Sequence, residues 1–181
     1  LKCGTARVYD HQIPGGQYSN LYSQCKSLGI MDKWDDVLDM YRDVNKMFGD
    51  LIKVTPSSKC VGDMALFLIR QGLTCKDVEE SGETIEYPDS VVNLFMGRLG
   101  YPHHGLPKEL QKKIVKEQVP LTERPGKLLA PADIEGTRKM LKEKYEKKLY
   151  DVGRDQVIGD EEVISYILYP KVFDDFMEWQ S

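Results

Sequence analysis

The stretch "PSSKCVGDMALFLIRQG", residues 56–72, constrains the fold more than any other. Thr55 before it is a good N-cap, Pro56 suits the first helical position, and Gly72 can stop the helix. Between them Val61, Met64, Ala65, Leu66, Phe67, Leu68 and Ile69 leave almost no polar side after Asp63. A helix of that kind is buried on more than one side, so other elements must surround it.

The remainder of the chain supplies those elements, and nearly all are helical in spacing. "GGQYSNLYSQCKSLG" sets Tyr18, Leu21, Tyr22, Cys25 and Leu28 three and four apart, with Gly29 as the stop. In "DKWDDVLDMYRDVNKMFG", capped by Asp32, an apolar face runs from Trp34 through Val37, Leu38, Tyr41, Val44 and Met47 to Phe48, and Gly49 closes it. The short "LIKV", residues 51–54, is the one convincing extended piece. Thr74 caps a short acidic helix, another helix runs from about Asp89 to Met96, and a third starts after Pro107. The Pro/Gly-rich "VPLTERPGKLLAPAD" is a connector, and it sets a boundary between a region 1–125 and a C-terminal extension 126–181. In the extension, "DIEGTRKMLKEKYEKKL" predicts a charged helix with Ile134, Met140, Leu141 and Tyr145 as its apolar stripe. Its other face is solvated and carries pairs such as Glu143–Lys147. "DVGRDQVIGD" is a loop or weak strand, Asp160 caps "EEVISYILY", and Pro170 opens a last helix. The expected architecture is all-α.

Composition excludes several functions. At 181 residues, 41% hydrophobic and 30% charged, the chain can bury a core. Its net charge of −4 leaves no basic surplus to displace counterions, which argues against nucleic-acid and acidic-membrane partners. No apolar run reaches transmembrane length and no signal peptide opens the chain. Cys3, Cys25, Cys60 and Cys75 are scattered without a C-x-x-C pair, the pattern of reduced thiols in an intracellular compartment. His103 and His104 lie in a Pro/Gly loop with no cysteine at zinc-site spacing, so no metal site is expected in this chain. Leu rather than Met at position 1 suggests a piece of a longer protein.

Two places could carry chemistry. In "IPGGQYSN", residues 13–20, Gly15 and Gly16 allow a tight turn and Gln17 falls in the first turn of a helix; by itself this is a connector. At residues 55–59, Thr55, Ser58 and Lys59 bring two hydroxyls and a cation to the positive end of a helix, a place for a carboxylate or other electron-rich group. A plain capped helix start is the bland alternative, but three polar groups at one spot exceed what a cap requires.

"HQIPGGQYSNL", "VNKMFGDLIKVTPSSKCVGDMALFL", "YPDSVV", "RPGKLL" and "YPKVFDDF" resemble, in the same order, stretches of the pyruvate carboxylase family. They belong to the latter part of its carboxyltransferase domain, and the resemblance runs from about Thr5 to Phe176. The related oxaloacetate decarboxylase α subunits and transcarboxylases typically read P-G-G-M and T-P-T-S-Q. This chain has Gln17, Ser57 and Lys59 at those points, so it is similar to the carboxylase branch. It departs from that branch at Gln12, where many members have Glu, at Cys60, where Val is usual, and in a longer segment around "YEKKLYDVGRDQVIGDEE".

The resemblance implies a helical cap, or funnel, that follows a (β/α)8 barrel and packs on its mouth. In the family the barrel holds a divalent metal, zinc or manganese, through an Asp, a carboxylated Lys and a His-x-His pair. This chain has no His-x-His and none of the alternating strand–helix pattern of a barrel, so by itself it is expected to be inactive. Carboxybiotin, carried on a separate biotin-carrier domain, gives up CO2 at that site to the enolate of pyruvate and makes oxaloacetate. By the same resemblance Thr55 contacts substrate and shuttles a proton between the pyruvate methyl and the biotin ring nitrogen. Ser58 and Lys59 hold the biotin, and Gln17 is a further candidate. The implied parent is a homo-oligomer of the mitochondrial matrix or the bacterial cytoplasm. Alternatives are a decarboxylase or transcarboxylase subunit of the same chemistry, and a non-catalytic helical interaction module.

Overall fold

The computed structural model describes residues 6–146 and 158–180. They form α1 (Val8–His11), α2 (Gly15–Ser27), α3 (Trp34–Met47), α4 (Ser57–Gln71), α5 (Cys75–Ser81), α6 (Asp89–Phe95), α7 (Lys108–Val115), α8 (Ile134–Leu141), α9 (Asp160–Leu168) and α10 (Pro170–Gln180). Among the described residues there is no strand. The chain divides into two compact units, with the division along the sequence between Leu128 and Leu129.

In the first unit α4 is central and packs against α2, α3 and α6. Cys60, Val61, Met64, Ala65, Leu66 and Leu68 are buried around its circumference, as its apolar pattern demands. They meet Leu21 and Cys25 of α2, Val37, Leu38, Tyr41 and Val44 of α3, and Val91, Leu94 and Phe95 of α6. Each large aliphatic chain sealed this way contributes roughly 1.5–3 kcal/mol, enough that a handful outweigh any surface pair. Phe48 meets Phe95 edge-on at 4.9 Å. Gln111 of α7, buried, donates its amide to the Phe95 carbonyl at 2.7 Å, which satisfies an open acceptor at the end of α6.

The glycine stops are where the spacing puts them: Gly29, Gly49 and Gly72 take φ of +70°, +90° and +67°. Thr74 caps α5 in a reciprocal capping box with Asp77. Two other expectations fail. Asp32 is not the cap of α3; it lies inside a 3-10 turn, Met31–Lys33, and no side chain caps Trp34 because the turn's own carbonyls already accept the first N–H groups. "LIKV" is not a strand: among the described residues there is no strand to pair with it, and the Val54 N–H turns back to the Ile52 carbonyl at 3.0 Å.

In the second unit Asp133 caps α8 by accepting the Gly136 N–H at 2.8 Å. The long charged helix does not stay regular: after Leu141 it widens into a π-helical turn, Lys142–Glu146. Leu141 and Tyr145 join Ile158, Val163, Phe173 and Met177 in a small core with Met140 packed on it, whereas Ile134, expected in the stripe, is exposed. Asp160 does not cap α9. Gly159 takes the cap position with its N–H held by the Glu162 carboxylate at 2.9 Å, and Asp160 pairs with Arg138 at 2.6 Å instead. The expected Glu143–Lys147 pair and most of "DVGRDQVIGD" lie outside the described residues.

Candidate functional site

The start of α4 is built from backbone rather than from a side-chain cap. The Ser58 N–H donates to the Val54 carbonyl at 3.0 Å, and the Lys59 and Cys60 N–H groups donate to Pro56 at 3.1 and 3.3 Å. The Ser57 hydroxyl shares its proton between the Ile52 and Val54 carbonyls at 2.6 and 2.7 Å. Helical residues begin at Ser57, after a cis Thr55–Pro56 peptide. Thr55 is therefore not the N-cap and Pro56 is not the first helical residue, because the first-turn donors are already taken. Thr55 is exposed, and its hydroxyl makes no hydrogen bond among the described residues. It can donate and accept at once.

Ser58 and Lys59 part company one residue later. Neighbours on a helix diverge by about 100°. Ser58 turns inward and is only 3% exposed. One turn on, α2 crosses at Gly62: a Cβ there would stand 2.5 Å from Nε2 of Gln17 and 3.1 Å from Leu21. Gln17 is itself buried, and its amide packs over Gly62, one turn along the stripe of α4 that carries Ser58. Lys59 lies on the next stripe, its side chain 59% exposed, and pairs with Asp63 at 2.5 Å.

Asp63 was not a candidate by sequence. Its side chain is only 16% exposed, and its Oδ2 also accepts from the Ser90 hydroxyl of α6 at 2.5 Å. The Cys60 thiol donates to the Ser90 carbonyl at 3.3 Å, a bond the usual valine could not make. Burial first, and then the nearby Asp63 charge, push the Cys60 thiol up to about 11. The Lys-x-x-x-Asp spacing was a signal for Asp63; nothing in the sequence pointed to Ser90. Below Asp63 the same stripe borders a cavity of about 380 Å3 lined by Gln24, Phe67, Arg70 and Gln71 among others.

His11 fixes the turn that precedes Gln17. It is 2% exposed, its Nδ1 accepts the Ile13 N–H at 3.0 Å, and its ring stacks on Tyr18 at 5.5 Å. Burial, and next the Arg7 charge, lower its pKa, so it is neutral and carries its proton on Nε2. His103 and His104 are exposed, edge-on at 4.8 Å. Among the described residues no group of three or more His, Cys, Asp or Glu could hold a metal ion. Cys25, Cys60 and Cys75 are free thiols.

The conserved carboxylase domain matches residues 8–181. The pyruvate carboxylase of Bacillus subtilis is 49% identical over 178 residues, covering 98% of this chain and 15% of that protein. The mitochondrial pyruvate carboxylase of Homo sapiens is 39% identical over 181 residues, covering 100% of this chain and 15% of that protein. The carboxyl transferase domain of Rhizobium etli pyruvate carboxylase superposes with a TM-score of 0.87 at 46% identity, covering 98% of this chain and 28% of that one. The chain belongs to the conserved carboxylase domain family. It spans about 15% of the length of the curated pyruvate carboxylases it matches.

Proposed function

We propose that this chain is the helical part of the carboxyltransferase domain of a biotin-dependent pyruvate carboxylase, and that the start of α4 faces the transfer of a carboxyl group from carboxybiotin to pyruvate. The observation that carries the reading is structural: a Rhizobium etli carboxyl transferase domain described with pyruvate and biocytin shares this fold at a TM-score of 0.86 and 46% identity. Gln17 and Lys59 favour the carboxylase over a decarboxylase or transcarboxylase subunit.

Biotin fits the residues present. Carboxylated, it supplies the carboxyl group as a substrate. Lys59 gives only one of its three N–H donors to Asp63, which leaves two for a ureido or carboxylate oxygen. Ser58 and the Gln17 amide line the α2–α4 crossing beside it. Thr55 stands ahead of both with its hydroxyl unengaged, suited to take the pyruvate methyl proton while handing its own to the ring nitrogen. The divalent metal of the family finds no ligand set among the described residues, and no step in this chain runs through it. Ile52, Val54, Leu99 and Tyr101 form exposed apolar surface beside the Thr55 turn, the face we assign to the barrel.

The test is pyruvate-dependent oxaloacetate formation by the full-length protein, with Ser58→Ala, Lys59→Ala and Gln17→Ala compared with the parent. Loss of transfer with ATP-dependent biotin carboxylation retained supports the reading. Unchanged transfer in all three would leave a helical interaction module.

A further inference from the structure

Lys59 is an exposed side chain with four rotatable carbons, and a group of that kind wanders unless something holds it. What holds it is the Asp63 carboxylate, and Asp63 is itself held. Its Oδ2 takes two donors at 2.5 Å each, the ammonium of Lys59 and the hydroxyl of Ser90. Ser90 is the second residue of α6, and its carbonyl is fixed in turn by the Cys60 thiol. The carboxylate is therefore pinned from the α6 side and presents itself to the lysine one helical turn away. The exposures agree: 16% for Asp63 against 59% for Lys59, an anchor in the wall and an arm in solvent. An ordinary solvated i,i+4 pair has neither a half-buried member nor a third partner from another helix.

We infer that Asp63, fixed by Ser90, is a positioning residue: it holds the Lys59 ammonium in the direction in which its remaining N–H groups meet the biotin ring system. This rests on the biotin role proposed for Lys59. Asp63 touches no substrate and acts only through the lysine. Removing its charge should loosen biotin binding without slowing transfer once biotin is bound, because the groups that move the proton and the carboxyl are elsewhere.

The experiment uses the full-length protein with free biocytin as the carboxyl acceptor and oxaloacetate as donor, following pyruvate release. Asp63→Asn keeps the shape and the Ser90 contact but loses the ion pair. Its KM for biocytin should rise about tenfold, the weight of one charge-assisted hydrogen bond, with kcat within roughly twofold. Asp63→Glu should recover part of the loss. Ser90→Ala should show a smaller rise in the same direction, and serves as the second probe if Asp63→Asn melts early. In a Lys59→Ala background Asp63→Asn should add nothing further, since there is no ammonium left to direct. Full additivity on Lys59→Ala, a fall in kcat without a change in KM, or a normal KM in both Asp63→Asn and Ser90→Ala would overturn the inference while leaving Lys59 in place. A normal biocytin KM in Lys59→Ala itself would overturn the biotin role of Lys59 and this inference with it.

Discussion

Thr55→Ala separates chemistry from stability more cleanly than any other substitution in this chain. A threonine that capped α4 would cost about 1 kcal/mol on removal. The structure removes that cost: the first-turn N–H groups are bonded to the Val54 and Pro56 carbonyls, and the exposed Thr55 hydroxyl has no partner among the described residues. Stability should change by no more than about 0.5 kcal/mol, the ordinary surface value, a shift of a degree or two in Tm. Loss of a positioned proton relay costs roughly a hundredfold to ten-thousandfold in rate, about 2.7–5.5 kcal/mol on the barrier. The assay is oxaloacetate formation by the full-length protein, coupled to NADH oxidation, alongside bicarbonate-dependent ATP cleavage as a control on the distant carboxylation step. Thr55→Ser keeps a hydroxyl at the same place and should retain far more activity than Thr55→Ala. An alanine variant with parental melting and near-parental oxaloacetate formation would refute the relay, and no lost cap could be invoked to explain a decrease.

Gly62→Ala gains about 1 kcal/mol of helix propensity but drives a methyl into the space of the Gln17 amide, so thermal melting should stay within a few degrees while the biocytin KM rises. Cys60, with its thiol pushed up to about 11, should resist alkylation at pH 8 until the protein unfolds. Because its folded value lies above the unfolded one, its contribution to stability is complete below about pH 9 and is lost toward pH 11. Stability from urea melts across that range should fall less steeply in Cys60→Val than in the parent, the Cys75 thiol, also pushed up to about 11 by burial, keeping part of the slope. His11 has the opposite slope: its folded pKa is lowered, so its contribution is complete above the ordinary histidine value near 6.5 and is lost as pH falls through the depressed one. Melts at pH 7.5 and 5 should differ more in the parent than in His11→Gln.

What was legible in the sequence was whatever local spacing controls. The all-round burial of α4 followed from Val61 through Ile69, and the αL stops followed from Gly29, Gly49 and Gly72, because a missing Cβ is a property of one residue. The failures share a cause. Asp32, Thr55 and Asp160 each have the right side chain to cap a helix, but in each case another group decides the start: a 3-10 turn ahead of α3, the Val54 and Pro56 carbonyls that take first-turn N–H groups of α4, and the Glu162 carboxylate that holds the N–H of Gly159 and leaves Gly159 as the cap residue. A cap is a competition, and a single sequence names only one contestant. Ser90 was invisible for a different reason, since its bond to Asp63 spans 27 residues and no local pattern encodes it.

The same long-range packing explains how an exposed hydroxyl can sit at a fixed place. Among the described residues the Thr55 hydroxyl has no hydrogen bond to orient it, and an uncapped turn at a helix start ordinarily frays. Here the turn is tied on both sides. The Ser57 hydroxyl holds the Ile52 and Val54 carbonyls from behind, and Ser58 follows as a buried residue that cannot swing out without opening the α2–α4 crossing. Leu51, buried in the main core, anchors the segment two residues before Lys53. Moving Thr55 by even an ångström would therefore mean disturbing α4, the helix buried on the most sides. An apolar helix that must be surrounded thus lends its rigidity to the polar residues at its mouth, which is what the relay proposed for Thr55 would require at hydrogen-bond distance.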